Sequence, residues 1–315
     1  MNVPPNAFSP SRFIKDVQGT ATSIGAAFDQ ERTRRVIDAY EQSFSTGAVL
    51  WKTTSRAGDA LSYRFYSREP TDTVEIAARA GFIDVRSPLV PLVTSLSAMN
   101  GGAALQSCDF DADRGLAKCW VFLGGMLRLE EVLAVDHMPE ALRRQEAALA
   151  GRGLEFVRHV SVDFRHQTVN LYFGVLGRFR AGQQAAVAEL VHSPPADAAL
   201  VEEIGGYMRE EHYLAALTWS ADTGCFERAC FYAPHIPEGR IPDVGPRLAG
   251  FLRDAPSYDP TDVHIVGWSF GAGGTSYVKG ERSYCGDLAG LLRDWRALPG
   301  RGGQAGPVLD PVATP

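Results

Sequence analysis

The pattern of apolar and polar positions along the chain shortens its period five times, from helical spacing to strand alternation. Residues 11–28 and 30–44 place Ile14, Val17 and Ile24, then Val36, Ala39 and Tyr40, at the three-to-four-residue spacing of amphipathic helices. The period then shortens: 48–54 and 60–67 are β-favouring runs on either side of a turn at Arg56, Gly58 and Asp59. Asp72 and Glu75 open a helix over 73–81, a second helical piece carrying Pro91 runs towards Met99, and short-period runs return at 104–110 and 115–123. The same order recurs as helices over 127–135 and 139–150, strands over 154–164 and 168–175, helices over 182–192 and 195–208, and strands over 213–220 and 226–233. A helix over 244–253, strands over 263–270 and 275–283, and a helix over 286–295 end the series.

Strand pairs therefore begin near residues 48, 104, 154, 213 and 263, a recurrence of roughly 50 to 60 residues that marks a structural repeat. Five hairpins coated by helices predict an α+β fold: a ten-stranded antiparallel β-barrel of five ααββ repeats with the helices outside. Closure removes the exposed edges an open sheet of this size would carry, and a barrel of more than eight strands has room inside for a ligand. Residues 1–298 are expected to form one domain, and 299–315, rich in Gly and Pro without periodicity, a disordered tail.

Composition narrows the partners. The chain has 315 residues, 45% of them hydrophobic and 22% charged, with a net charge of −6, which speaks against a general nucleic-acid binder. A phosphate ligand would have to be met by a local cluster of cations. Five cysteines without a C-x-x-C pair indicate neither a disulfide framework nor a zinc site. With no signal-like N-terminus and no apolar run long enough for a membrane span, the expectation is a cytoplasmic protein, monomeric and without membrane or nucleic-acid partners.

Such a cluster is present. Lys52, Arg64, Lys118, Arg158, Asn170, Arg228 and Lys279 lie mid-strand across all five predicted hairpins. A single mid-strand cation is ordinarily outward and solvated; the recurrence is what turns the set inward. Arg64 shares a strand face with Tyr66, Lys118 with Trp120, Asn170 with Tyr172, Arg228 with Tyr232, and Lys279 with Tyr277. Cations interleaved with aromatic rings suit a diphosphate carried by an apolar group. The competing motif is Gly267-x-Ser269-x-Gly271, the form of a hydrolase nucleophile elbow, but no histidine follows Ser269 and the residues after it favour a turn and a strand over a helix. Asp109, Asp111 and Asp113 imitate the start of an EF-hand, yet Arg114 stands where the loop needs glycine and Trp120 where it needs glutamate, so a hairpin turn is expected.

The segments LWKTTSRAGDALSYRFYSR, DFDADRGLAKCW, VRHVSVDFRHQTVNLYF, FERACFYA and GWSFGAGGTSYVKGERSYCG, in this order and spacing, resemble the bacterial aromatic prenyltransferases of the ABBA fold. The resemblance is particular to the 4-hydroxyphenylpyruvate 3-dimethylallyltransferases of clorobiocin and novobiocin biosynthesis and runs from about Phe13 to Trp295. It implies transfer of a dimethylallyl group from dimethylallyl diphosphate to a ring carbon of a small aromatic acceptor. It assigns the diphosphate to Lys52, Arg64, Lys118, Asn170, Tyr172, Arg228 and Lys279, and the acceptor to Arg158, Tyr66, Tyr213 and Tyr232, with Glu281 as the candidate base. Family members that need magnesium carry an aspartate where this chain has Ser62, which implies an enzyme without metal or other cofactor. Tyr213 stands where the nearest members carry a smaller residue, which keeps a phenazine carboxylate or a naphthoquinone open as acceptor beside 4-hydroxyphenylpyruvate. A serine hydrolase and a barrel that only binds an aromatic ligand remain the readings of other classes.

Overall fold

The computed structural model describes residues 6–102, 104–237 and 239–297; the tail expected over 299–315 lies outside them. Ten strands close into one antiparallel barrel: β1 (Ala48–Thr54), β2 (Ser62–Tyr66), β3 (Leu105–Asp111), β4 (Gly115–Arg128), β5 (Phe156–Asp163), β6 (Thr168–Leu176), β7 (His212–Ser220), β8 (Phe226–Ala233), β9 (His264–Gly271) and β10 (Ser276–Cys285). Each strand pairs with its neighbours in the chain, and β1 meets β10 with Lys52 opposite Glu281 and Thr54 opposite Lys279.

The helices lie outside in the order the repeat predicts. The first hairpin follows α1 (Pro10–Ser23), α2 (Gln30–Ala39) and α3 (Glu41–Thr46), and the second follows α4 (Thr73–Arg79) and α5 (Val90–Ser97). Next come α6 (Leu129–Leu133), α7 (Glu140–Arg143) and α8 (Glu146–Ala150), then α9 (Ala181–Glu189) and α10 (Ala198–Gly205). The last hairpin follows α11 (Gly245–Asp254), and α12 (Leu288–Ala297) ends the described chain.

The helix read over 139–150 divides into α7 and α8, and two further expectations shift. The helix read over 30–44 breaks at Tyr40, which leaves helical geometry at φ −116° and buries its hydroxyl against the carbonyl of Thr73 at 2.9 Å. The strand read over 115–123 continues to Arg128, because Gly124 and Gly125 take φ of 74° and 154°, a bend that lets Leu127 and Arg128 rejoin β5.

The hydrophobic core sits between barrel and helices, on the outward strand faces. Phe13 of α1 stacks on Trp51 at 5.1 Å and 3°, and meets Tyr63 and Tyr284 edge-on at 5.1 and 5.2 Å. Among the described residues no helix is long and apolar enough to cross a membrane. Phe13→Ala should leave a cavity beside Trp51 that lowers stability by about 3–5 kcal/mol. Urea unfolding should show the lower midpoint, while kcat/KM per folded molecule stays near that of the wild type.

Candidate active site

Strand alternation turns the polar set into the lumen in two layers. On each of β4, β6, β8 and β10 the basic or amide residue lies nearer the hairpin turn, and the aromatic or acidic residue farther from it. Lys118 thus precedes Trp120, Asn170 precedes Tyr172, Arg228 precedes Tyr232 and Lys279 precedes Glu281. Side chains of one strand face recur every two residues, so a spacing of two, or of four on β8, around a closed sheet builds a cationic layer beneath an aromatic one.

The cationic layer is short of counter-charge. Lys118, Arg228 and Lys279 make no ion pair among the described residues; Arg228 Nη2 donates to Thr218 Oγ1 at 3.0 Å, and Lys279 Nζ to Tyr232 OH at 3.4 Å. Thr218 in turn donates to Asn170 Oδ1 at 2.6 Å, which fixes the amide and leaves its Nδ2 buried without a partner. Burial, with Arg228, Lys52 and Lys279 nearby, outweighs the Asp163 carboxylate and pushes the Lys118 ammonium down to about 7. Buried cations and donors without partners are costly, and an anion with several acceptor oxygens relieves them together.

Between the layers lies a hub that the sequence analysis did not single out. Asp109, expected in a hairpin turn, points inward from β3, receives Lys52 Nζ at 2.5 Å and pairs bidentately with Arg64. Arg64 also reaches Tyr66 OH at 2.5 Å and Glu281 Oε2 at 3.3 Å, and its guanidinium lies 4.1 Å over Trp120. Nothing in the spacing separated Asp109 from its turn-forming neighbours. Only the register, Asp109 opposite Arg64 and Lys118, brings it among the cations.

Above the hub opens a cavity of about 450 Å³ walled by Trp120, Tyr172, Tyr232 and Trp295, with Glu281, Arg64, Arg158 and, from the loop before β7, Arg209 as its charged groups. Trp120 and Tyr172 lie 4.5 Å apart, and Tyr172 and Tyr232 6.1 Å. Arg158 makes no ion pair among the described residues; burial pushes its guanidinium down to about 10, and its nearest recorded aromatic contact is Phe122 at 5.5 Å. Tyr213 departs from the expectation. Its β7 neighbours His212 and Leu214 take the inward face, so its ring packs outside against Phe179 at 5.2 Å and Phe231 at 6.2 Å, although the residue borders the cavity. Trp295, from α12, and His159 also line the cavity and were not anticipated, since neither stands on a predicted inward strand face.

The elbow reading of Ser269 does not survive. Ser269 lies inside β9, paired to Cys230 on one side and Tyr277 on the other, and not on a strand-to-helix turn. The motif's glycines have other causes. A Cβ on Gly267 would lie 2.7 Å from the Tyr232 ring, and one on Gly271 would lie 2.9 Å from Thr275 Oγ1. Among the described residues no group of three or more His, Cys, Asp or Glu side chains is placed to hold a metal ion.

The lumen of the closed antiparallel barrel thus sets a layer of buried cations beside an aromatic chamber. The chain belongs to the family described as Aromatic prenyltransferase Orf2, which matches residues 8–296. It is 42% identical over 296 residues to an aromatic prenyltransferase of Sclerotinia sclerotiorum, covering 92% of this chain and 96% of that protein. It is also 42% identical over 291 residues to the 4-hydroxyphenylpyruvate 3-dimethylallyltransferase of Streptomyces niveus, covering 92% and 90%. In fold it is similar to 6-dimethylallyltryptophan synthase from Micromonospora olivasterospora, with a TM-score of 0.57 at 14% identity over 91% of this chain and 99% of that one. The apo form of prenyltransferase PriB gives 0.56 at 14% identity, over 90% and 96%. The barrel is that of the ABBA prenyltransferases, and the protein is a transferase.

The lowered Lys118 gives a measurable linkage. With the site free, a lysine near 7 is mostly neutral at pH 8 and mostly charged at pH 6. A bound diphosphate favours the charged form, so inorganic diphosphate should bind with proton uptake at pH 8 and little at pH 6. Calorimetry in buffers of different ionisation enthalpy reads this directly, and Lys118→Met should remove the uptake.

Proposed function

We propose that the enzyme moves a dimethylallyl group from dimethylallyl diphosphate to C3 of 4-hydroxyphenylpyruvate, without a metal ion. The observation that carries this reading is the division of the lumen: an unneutralised cation layer at one level, and directly above it an aromatic cavity whose Arg158 lacks a carboxylate. Diphosphate fits the first through charge-assisted hydrogen bonds from Lys118, Arg228, Lys279 and the Asn170 amide. The donor's C1–O bond breaks, the diphosphate leaves with the electron pair, and the allyl cation forms between Trp120, Tyr172 and Tyr232, whose faces stabilise it and exclude water. The ring carbon ortho to the phenol forms the new C–C bond, and Glu281 takes the proton released as aromaticity returns. Arg158 holds the acceptor's carboxylate with two parallel hydrogen bonds, which orients the phenol towards Glu281.

Metal independence is supported by how the nearby carboxylates are used. Asp109 is shared by Lys52 and Arg64; Asp111 accepts from Ser62 Oγ at 2.9 Å and pairs with Arg165 at 3.1 Å and Arg114 at 3.2 Å. Mg²⁺ held by protein ordinarily takes at least one carboxylate, and these two have cations as partners. The case for a phenazine carboxylate or a naphthoquinone rested on Tyr213 reshaping the acceptor pocket, and a ring packed in the outer core gives it no support. The free Cys108 and Cys119 thiols suit a reducing cytoplasm.

Arg228→Ala and Lys279→Ala should each lower kcat/KM for dimethylallyl diphosphate by at least about tenfold, since each removes a charge-assisted contact of about 1.5–3 kcal/mol. Turnover should be unchanged in excess EDTA; activity lost there and restored by magnesium would contradict the metal-free reading. Arg158→Ala should raise KM for 4-hydroxyphenylpyruvate while leaving the KM for the donor nearly unchanged. Equal use of an acceptor with and without a carboxylate, by both wild type and variant, would refute the assignment of the acceptor.

A further inference from the structure

β5 breaks its alternation at one place, and that place faces the acceptor cavity. Val157 pairs with Phe173 and His159 with Tyr172, so Arg158 is the extra residue of a bulge. On the other edge Phe122 faces His159 and Leu127 faces Val157, and the residues between them include Gly124 and Gly125 at positive φ. The two distortions lie side by side. Together they allow two consecutive side chains, Arg158 and His159, to line the cavity where regular alternation would send one of them outward.

Neither side chain is satisfied by the protein. Arg158 has no carboxylate partner among the described residues, and His159 Nε2 is buried without a hydrogen bond. Burial, with Arg158 and Arg64 nearby, holds the imidazole neutral, well below its ordinary range. The ring is positioned by Phe122 at 5.1 Å and Trp295 at 5.6 Å, with Trp120 and Tyr172 edge-on at 6.3 Å. A neutral imidazole keeps one N–H to give, and a buried nitrogen without a partner is a deficit that a ligand oxygen can fill.

We propose that His159 is a specificity residue that donates a hydrogen bond to the 2-oxo oxygen of the acceptor's side chain while Arg158 holds the adjacent carboxylate. The enzyme then selects a 2-oxo acid over the propanoate or the amino acid bearing the same ring. The inference rests on the arylpyruvate reading above and adds to it the group that tells an arylpyruvate from its analogues. A 2-oxo acid carries its two acceptors on neighbouring carbons, matching two donors on neighbouring residues. The 2-ammonium group of an amino acid would meet a guanidinium and an N–H there.

The test measures kcat/KM for 4-hydroxyphenylpyruvate, 3-(4-hydroxyphenyl)propanoate and tyrosine in the wild type, Arg158→Ala, His159→Phe and His159→Gln. The wild type should favour the oxo acid over the propanoate by about 10- to 100-fold, the range expected when a buried hydrogen bond is lost. His159→Phe should erase that ratio by losing activity on the oxo acid alone, and His159→Gln, which keeps an N–H, should restore part of it. A ratio in His159→Phe equal to that of the wild type overturns the inference while Arg158→Ala, weakening both acids, still upholds the acceptor assignment. A wild type that does not discriminate overturns it without recourse to any variant. If the wild type prenylates neither acid yet still binds dimethylallyl diphosphate, the acceptor assignment itself falls and this inference with it.

Discussion

Like charges gathered inside a closed sheet are the constraint on which the rest of this structure depends. Lys52, Arg64, Lys118, Arg228 and Lys279 share one lumen; Asp109 pairs with Lys52 and Arg64, and Glu281 meets Arg64 from the other side. Burial would raise the Asp109 carboxyl, yet Arg64 and Lys52 hold it well below the usual carboxylate range, so it stays charged and divides its charge between two cations. What it leaves unneutralised is the capacity of the site. One more carboxylate in the cationic layer would satisfy the protein and abolish its reason to bind an anion; without Asp109, Arg64 would lose the contact that aims it at Glu281.

Such a lumen is tolerated because stability is generated elsewhere. The inward strand faces carry the polar and aromatic working groups, whereas the outward faces carry Trp51, Tyr63, Phe65 and Phe110 into a dense aromatic layer beneath the helices. Period-two alternation separates the two tasks residue by residue along the same strands. The fold therefore stores an electrostatic deficit on one side of a sheet whose other side buries apolar surface.

That separation also explains which parts the sequence revealed. Alternating strands, turn residues and repeated hairpins are local signals, and they sufficed for the barrel, its helical coat and the inward direction of Lys52, Arg64, Lys118, Arg228 and Lys279. What escaped depends on register. His159 follows an inward arginine and should face out, but a bulge, produced jointly with two glycines on another strand, turns it in. Asp109 belongs to the site only because β2 and β4 lie on either side of it, and Tyr213 borders the cavity while its ring packs into the outer core because the strand face begins one residue away. A strand's own sequence does not record what its neighbours do.

The seam of the barrel has a consequence in time. β1 and β10 stand at opposite ends of the fold's chain order, yet they pair, and the pairing sets Lys52 against Glu281. During synthesis a ribosome releases β1 long before β10 exists, so that edge waits, unpaired, while some two hundred residues emerge. Contacts between such distant segments form late, since loop closure must be paid for first. The reactive chamber is thus the last thing the chain completes, and a half-made molecule holds neither a sealed space for a carbocation nor a base to end its life.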